Sequence, residues 1–332
     1  MMKLIPLSII LALIFNLYST FLPSNTLFAQ NIETAHWSTG KIQSQGAYTK
    51  ERDKIGHWKY YYANGQLEAE GKYTGKSTDK AIELVKKTRN SAISDDTDVR
   101  EGLWTFFYEN SQLKARVSYN NGCPEGKLER WHDNGNKSEE AEIIDCKPIG
   151  NRKNWDKNGV LFFENVVQGN GQSIEIEWYP NNQKKSEIPY RDGQQYGKVK
   201  RWYPNGQKEE EVSMRNTRVH GLYRSWYDNG QKKMEFTSIN NVMSGEYREW
   251  YANGNLSTEI IELEDKKQIL VKQYWDNGQL KVQGTSNLPT NLSIHNWTQT
   301  RQGIWTYWLK DGTAVKTENY TSGVLVSTEL AE

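Results

Sequence analysis

Five histidines, His36, His57, His132, His220 and His295, are the residues of this chain best suited to acid–base or metal chemistry. They form no H-x-x-x-H or H-E-x-x-H pair, so no helix face gathers them around an ion. A G-x-S-x-G elbow, a phosphate-binding loop and a dinucleotide fingerprint are all missing from the sequence. Asp133, Asp156, Asp228 and Asp276 stand beside Asn-Gly pairs and could suggest calcium. Calcium needs several oxygens on one point. One carboxylate per turn, with successive turns two strands apart, reads instead as turn-forming chemistry. Two cysteines, Cys123 and Cys146, could form a disulfide. Equivalent points on successive hairpins lie about 9.5 Å apart, whereas a bridge wants Cα atoms within about 7 Å. Both cysteines fall in connections that could bend together, so the bridge stays open. The remaining chemistry is that of rings. A column of tryptophans, Trp131, Trp155, Trp178, Trp202, Trp226, Trp250 and Trp308, recurs at one position of a repeat. It is either a packing ladder or an exposed row suited to sugar faces or a partner chain.

The elements that carry these rings are set by the dipeptide Asn-Gly. With an aromatic residue three positions before it, it occurs at Asn64-Gly65, Asn134-Gly135, Asn158-Gly159, Asn205-Gly206, Asn229-Gly230, Asn253-Gly254 and Asn277-Gly278. Degenerate copies are Asn110-Ser111, Asn181-Asn182 and Asp311-Gly312. From Asn110 to Asn277 the spacing is 23 or 24 residues throughout. The wider first and last intervals imply insertions of about 22 and 10 residues, by subtraction of one repeat. Three residues before each Asn stands an aromatic residue: Tyr61, Phe107, the tryptophans of the column and Tyr274. A second aromatic often sits six before it, as at Trp58, Trp104, Tyr223, Tyr247 and Trp305, and a glycine commonly opens the unit. Asn-Gly predicts a type I′ hairpin turn with positive φ at both residues. After the turn, apolar residues alternate with Glu, Lys and Gln, as in Leu67, Ala69, Gly71 and Tyr73, which is the period of a half-buried strand. Aromatics at −6 and −3 point to opposite faces of an ideal strand. Either both faces carry rings or a bulge near the opening glycine resets the phase.

Composition agrees with a thin structure. Of 332 residues, 36% are hydrophobic, too few for a large spherical core, yet 12% are aromatic, too many for a disordered chain. Lys and Arg total 42 against 41 acids, which argues against a nucleic-acid partner. Lys3, an apolar run from Leu4 to Leu17 and a polar stretch ending at Ala29 follow the order of a secretory leader, with an uncleaved anchor as the alternative. The apolar run is too short to predict a membrane span, and none is expected in the mature chain. The sequence therefore predicts an all-β, elongated array of about ten tandem antiparallel β-hairpins with a short helical insertion. Its parts are a leader at 1–29, a cap strand region at 30–49, repeats at 50–326 with insertions at 76–100 (helix and loop) and 287–296 (loop), and a tail at 327–332.

The unit Gly56-His57-Trp58-Lys59-Tyr60-Tyr61-Tyr62-Ala63-Asn64-Gly65-Gln66-Leu67 resembles the bacterial variant of the MORN repeat, and so does the unit from Gly245 to Leu256. The resemblance covers roughly 50–323. It implies rows of antiparallel hairpins, protein or surface binding and no catalytic residues. Related chains include exported repeat proteins and antitoxin-like immunity proteins. The expected function is an exported, non-enzymatic scaffold without cofactor or metal, binding a protein partner. An envelope glycan held by the aromatic row and immunity against a toxin are the alternatives.

Overall fold

The computed structural model describes residues 31–76, 98–264, 267–287 and 297–331. The leader expected at 1–29, most of the helix and loop expected at 76–100 and the loop expected at 287–296 lie outside those residues. Among the described residues twenty-four strands follow one another as antiparallel hairpins and belong to one sheet. Among the described residues the one helical element is a 3-10 turn at Trp297–Thr300. Two units divide the chain, Met1–Ser111 with Ser118–Cys123, and Gln112–Val117 with Pro124–Glu332.

The turns differ from the sequence expectation in type and place. At Asn229-Gly230, Gly230 N–H donates to the Tyr227 carbonyl at 2.9 Å and Tyr227 N–H to the Gln231 carbonyl at 2.8 Å. Gly230 has φ +84°, while Asn229 is not left-handed. That is a type I turn closed by a left-handed glycine, the three-residue hairpin loop, not type I′. Tyr62–Gln66, Tyr203–Gln207, Tyr251–Asn255 and Trp275–Gln279 close in the same way. So does Trp37–Lys41, so the stretch expected as a cap strand, 30–49, contains a full hairpin, Ile32–His36 with Ile42–Tyr48. Type I′ geometry occurs at the other end of the strands, where one hairpin passes to the next. Asn121-Gly122, Asp192-Gly193, Asn216-Thr217, Asn240-Asn241 and Ser322-Gly323 have positive φ at both residues.

Register assigns the faces. In the hairpin Arg218–Trp226 with Lys232–Ile239, Tyr223 pairs with Phe236 and Ser225 with Met234 on one face. Arg224 pairs with Glu235, and Trp226 with Lys232, on the other. Lys233 is the extra residue of a bulge between Met234 and Lys232. A second irregularity falls at the opening glycine, where Phe236 pairs with Tyr247 but Thr237 with Ser244, skipping Gly245 and Glu246. The first alternative left by the sequence is realised, with rings on both faces; the two residues inserted at the opening glycine leave the phase unchanged, and the one-residue shift falls at the bulge after the turn.

The face of the −6 residues is the buried one. In the first unit Trp58, Ala69, Tyr73 and Trp104 form its core, with Tyr48, Tyr60, Phe106 and Tyr119 against them. In the second, Tyr247, Ile260, Val271, Val282 and Trp305 do so, with Trp297 stacked on Trp305 at 5.3 Å. The largest side chains are buried by a size exchange between strands. Trp58, Trp104 and Trp305 lie flat over Gly46, Gly71 and Gly284, where a Cβ would run into the indole. Each indole Nε1 donates to the carbonyl one residue past its glycine: Ala47 at 3.2 Å, Lys72 at 3.1 Å and Thr285 at 3.0 Å. A cation four residues upstream covers the ring. Lys54 lies 5.4 Å from Trp58, Arg100 4.6 Å from Trp104 and Arg301 4.7 Å from Trp305. Over 139–175 this face mixes apolar and polar residues. Ala141 pairs with Arg152 and Asn165 with Glu175. Glu139 is buried between Arg130 at 2.5 Å and Arg152 at 3.0 Å.

Gly71 does not have a left-handed φ, so alanine there is refused by the indole alone. Gly71→Ala should lower the unfolding free energy by about 3 kcal/mol, the upper range for overpacking. In a Trp104→Leu background the same change should cost much less, as read from denaturant midpoints in a double-mutant cycle. Neither Cys123 nor Cys146 is a free thiol. A thiol reagent in denaturant should count no reactive sulfur until reductant is added.

Candidate interaction surface

Each tryptophan of the column ends its strand. Trp131, Trp155, Trp178, Trp202, Trp226, Trp250 and Trp308 are the last residues of Cys123–Trp131, Arg152–Trp155, Gln172–Trp178, Gly197–Trp202, Arg218–Trp226, Val242–Trp250 and Arg301–Trp308. All seven are half-buried and face away from the buried row. A lysine three residues past the turn Asn reaches over six of them, from Trp131 to Trp250. Lys184 lies 5.8 Å from Trp178 and 5.4 Å from Trp202, Lys208 5.1 Å from Trp226, and Lys232 5.2 Å from Trp250. Lys137 sits at 5.9 Å and 5.8 Å from Trp131 and Trp155. These amines reach back to carboxylates: Lys184 to Glu187 at 2.7 Å, Lys208 to Glu211 at 2.9 Å and Lys232 to Glu235 at 3.1 Å. Across the strand pair, Lys200 meets Glu187 at 3.1 Å and Arg224 meets Glu235 at 2.7 Å. Lys184 and Lys208 hold the carboxyls of Glu187 and Glu211 below the usual range. Every pair is partly exposed, so each contributes about 0–1 kcal/mol. Their joint effect is a face of alternating ring and charge stripes with little net charge.

The turn asparagines belong to a second ladder. Asn205 Nδ2 donates to the Asp228 carbonyl, Asn229 to that of Ala252, Asn253 to that of Asp276 and Asn277 to that of Lys310, all at 2.7 Å. Asn64 reaches the Glu109 carbonyl at 3.2 Å and Asn134 that of Lys157 at 2.6 Å. The same side chain accepts from the backbone two residues on, as in Gln231 N–H to Asn229 Oδ1 at 3.0 Å. The sequence reading passed over the residue between the aromatic column and the turn. Tyr203, Tyr227 and Tyr251 each donate Oη at 2.8 Å to the next repeat's aromatic carbonyl, at Trp226, Trp250 and Tyr274. Tyr62 does the same to Phe107, and Trp37 and Trp275 use Nε1. A run of Tyr at −2 was visible in the sequence and is the signal for these bonds.

Nothing gathers on this face as a reaction centre would. Among the described residues no three His, Cys, Asp or Glu side chains are grouped to hold a metal ion. His132 Nε2 lies 2.9 Å from the Trp155 carbonyl, and His220 Nδ1 lies 3.2 Å from Asn240 Oδ1. No helix among the described residues is long and apolar enough to cross a membrane.

A MORN repeat variant pattern matches residues 54–74, 100–121, 173–192, 195–216, 219–240, 243–261 and 267–287. The chain is a MORN-repeat protein. Such repeats are generally associated with scaffolds for protein and membrane interaction, and proteins built from them are typically non-enzymatic. The matches pass over 122–172, where the turns His132–Asn136 and Asp156–Val160 still close as MORN turns. That gap buries Leu128, Ala141 and Ile143 together with Glu139. No curated protein matches the chain.

Several side chains tie the stability of this architecture to pH, among them the Tyr223, Tyr247 and Tyr307 phenols and the Glu318 carboxyl. Burial pushes the Tyr223 phenol up to about 12, and the nearby Glu210 carboxylate adds to it. Its unfolded value is 10.0, so the unfolded chain ionises first and stability should fall as pH rises from 10 to 12. Tyr223→Phe should flatten that fall. Burial alone would raise the Glu318 carboxyl, but Lys316, Tyr307 and Tyr320 outweigh it and hold it at about 2. Stability from this carboxylate is present above 4.5 and lost as pH drops towards 2. Denaturant midpoints across both windows, with Glu318→Gln as the acid control, check the two signs.

Proposed function

We propose that this MORN-repeat chain is an exported, non-enzymatic scaffold that presents its Trp–Lys–Glu face to a protein partner. The observation carrying this reading is the repetition itself. The same ring, amine and carboxylate recur from hairpin to hairpin, with their charges already paired. Catalysis needs unlike groups converging on one point, whereas an extended partner can be gripped by a row of like ones. Half-buried rings with polar rims are the usual anchors of protein interfaces. The export part rests on Lys3 and the apolar run Leu4 to Leu17.

A glycan reading of the tryptophan row is less well supported. A sugar stacks on a bare ring face, and here lysine amines stand 5.1 to 5.9 Å from the ring centres. The test is recovery of partners from envelope extract on the immobilised chain, beside a variant carrying Lys184→Gln, Lys208→Gln and Lys232→Gln. Exposed pairs of this kind add little stability, so the variant should keep its unfolding midpoint. A protein retained at stoichiometric yield by the natural chain, lost by the variant and not eluted by soluble glycans is expected. Elution by glycan, or equal recovery on both chains, would sink the proposal.

A further inference from the structure

The connections between hairpins carry a site that the Trp–Lys–Glu face does not explain. At the connection Asn216-Thr217, Arg215 and Arg218 are directly opposed in register. Like charges opposed across a strand pair are destabilising. Neither guanidinium has an ion pair among the described residues. Elsewhere in this unit the chain neutralises such neighbours, as Arg224 and Lys200 show. The turn between the two arginines is itself unfavourable. Thr217 has φ +60°, a left-handed conformation that a β-branched residue resists and that Gly193 fills in the preceding connection. Two local penalties at one turn mark a place kept for something other than stability.

A third guanidinium joins them. The Arg191 guanidinium carbon stands 4.0 Å from the centre of the Tyr196 ring. Arg191, Arg215 and Asn216 line one hollow with Asp192, Gln194 and Tyr196. Arg215, Asn216 and Gln194 also line the adjoining cavity of about 530 Å³, together with Arg218, His220 and Asn240. Thr217 N–H bonds the Gln195 carbonyl at 3.1 Å, which ties the two hollows into one edge. Three arginines against the one carboxylate of Asp192 leave about two uncompensated positive charges. We propose that this edge is an oxyanion site for a phosphate monoester dianion. A single carboxylate would neutralise one of those charges. A dianionic phosphate neutralises both and offers oxygens to more than one guanidinium fork. His220, partnered by Asn240 Oδ1, supplies a further ring N–H or lone pair at the rim. The site lies at the opposite ends of the strands from the Asn-Gly turns and does not rest on the scaffold reading.

The source of the phosphate, a free small molecule or a lipid headgroup, is separated by the experiment. Inorganic phosphate is titrated into the full chain at constant ionic strength, followed by calorimetry and by the rise in melting temperature. Phosphatidylcholine vesicles with and without phosphatidic acid form the second arm. Saturable binding of phosphate is expected, weakened about tenfold for each guanidinium removed in Arg215→Gln and in the double variant with Arg218→Gln. The double variant removes a repulsion, so its melting temperature without phosphate should not fall. Arg191→Gln, outside the opposed pair, is the second reading should the double variant fold poorly. Phosphate binding without vesicle binding assigns a small ligand. Vesicle binding that needs phosphatidic acid and is competed by phosphate assigns a headgroup. No saturation by phosphate in the natural chain, or unchanged affinity in Arg191→Gln and the double variant, overturns the site.

Discussion

The structure depends on one recurring hydrogen bond, from a turn side chain to the main-chain carbonyl of the following turn. A hairpin alone is marginal in water. Here Asn229 Nδ2 and Tyr227 Oη each reach the next repeat, to Ala252 and Trp250, while Asn229 Oδ1 holds its own backbone in the turn. Adjacent turns are thus fixed to each other at their tips, not only through the strand ladder. Once the tips are fixed, register is fixed, and register decides which residues meet on each face. The indoles over Gly46, Gly71 and Gly284 fit only if the strands do not slip.

That bond also explains what the sequence could and could not reveal. Repeat length, hairpin order and all-β class were legible because Asn-Gly recurs and alternation follows it. Turn type was not. Asn-Gly is the usual mark of type I′, but at Asn229 the asparagine is retained for both ends of its amide, a role that depends on a chain segment 23 residues away. The type I′ turns fall instead in the pairs between hairpins, some with glycine, as at Asn121-Gly122, and some without, as at Asn240-Asn241. Face assignment was left open for a similar reason. The irregularities at Lys233 and Gly245 add one and two residues to one strand, and a count of offsets does not register them.

The candidate surface was half legible. The column from Trp131 to Trp308 was visible by type and spacing, but its lysine cover was not, since Lys184 touches both its own and the next repeat's ring. Size exchange between strands left a trace that only a paired reading finds: glycine at +7 occurs where tryptophan follows at −6, and Val212 and Phe236 stand there where tyrosine follows. The charge pattern around Arg215 and Arg218 was hidden by the balanced total, because neutrality summed over a chain says nothing about two opposed arginines.

A carbonyl oxygen of the backbone is the same whatever residue bears it. The donors in this ladder are encoded, but the acceptors, at Asp228, Ala252, Asp276 and Lys310, are of three different residue types and serve equally. As far as this ladder is concerned any unit can succeed any other, provided that an indole on the buried face meets a glycine in the unit before it. Unequal exchange between neighbouring coding stretches would lengthen or shorten the row by whole units without orphaning a donor, and insertions between turns are tolerated, since Asn277 still reaches Lys310 33 residues on. The constraint on descent falls on the turn and on the match of glycine to indole, which leaves the rest of each face free to diverge toward its own ligand.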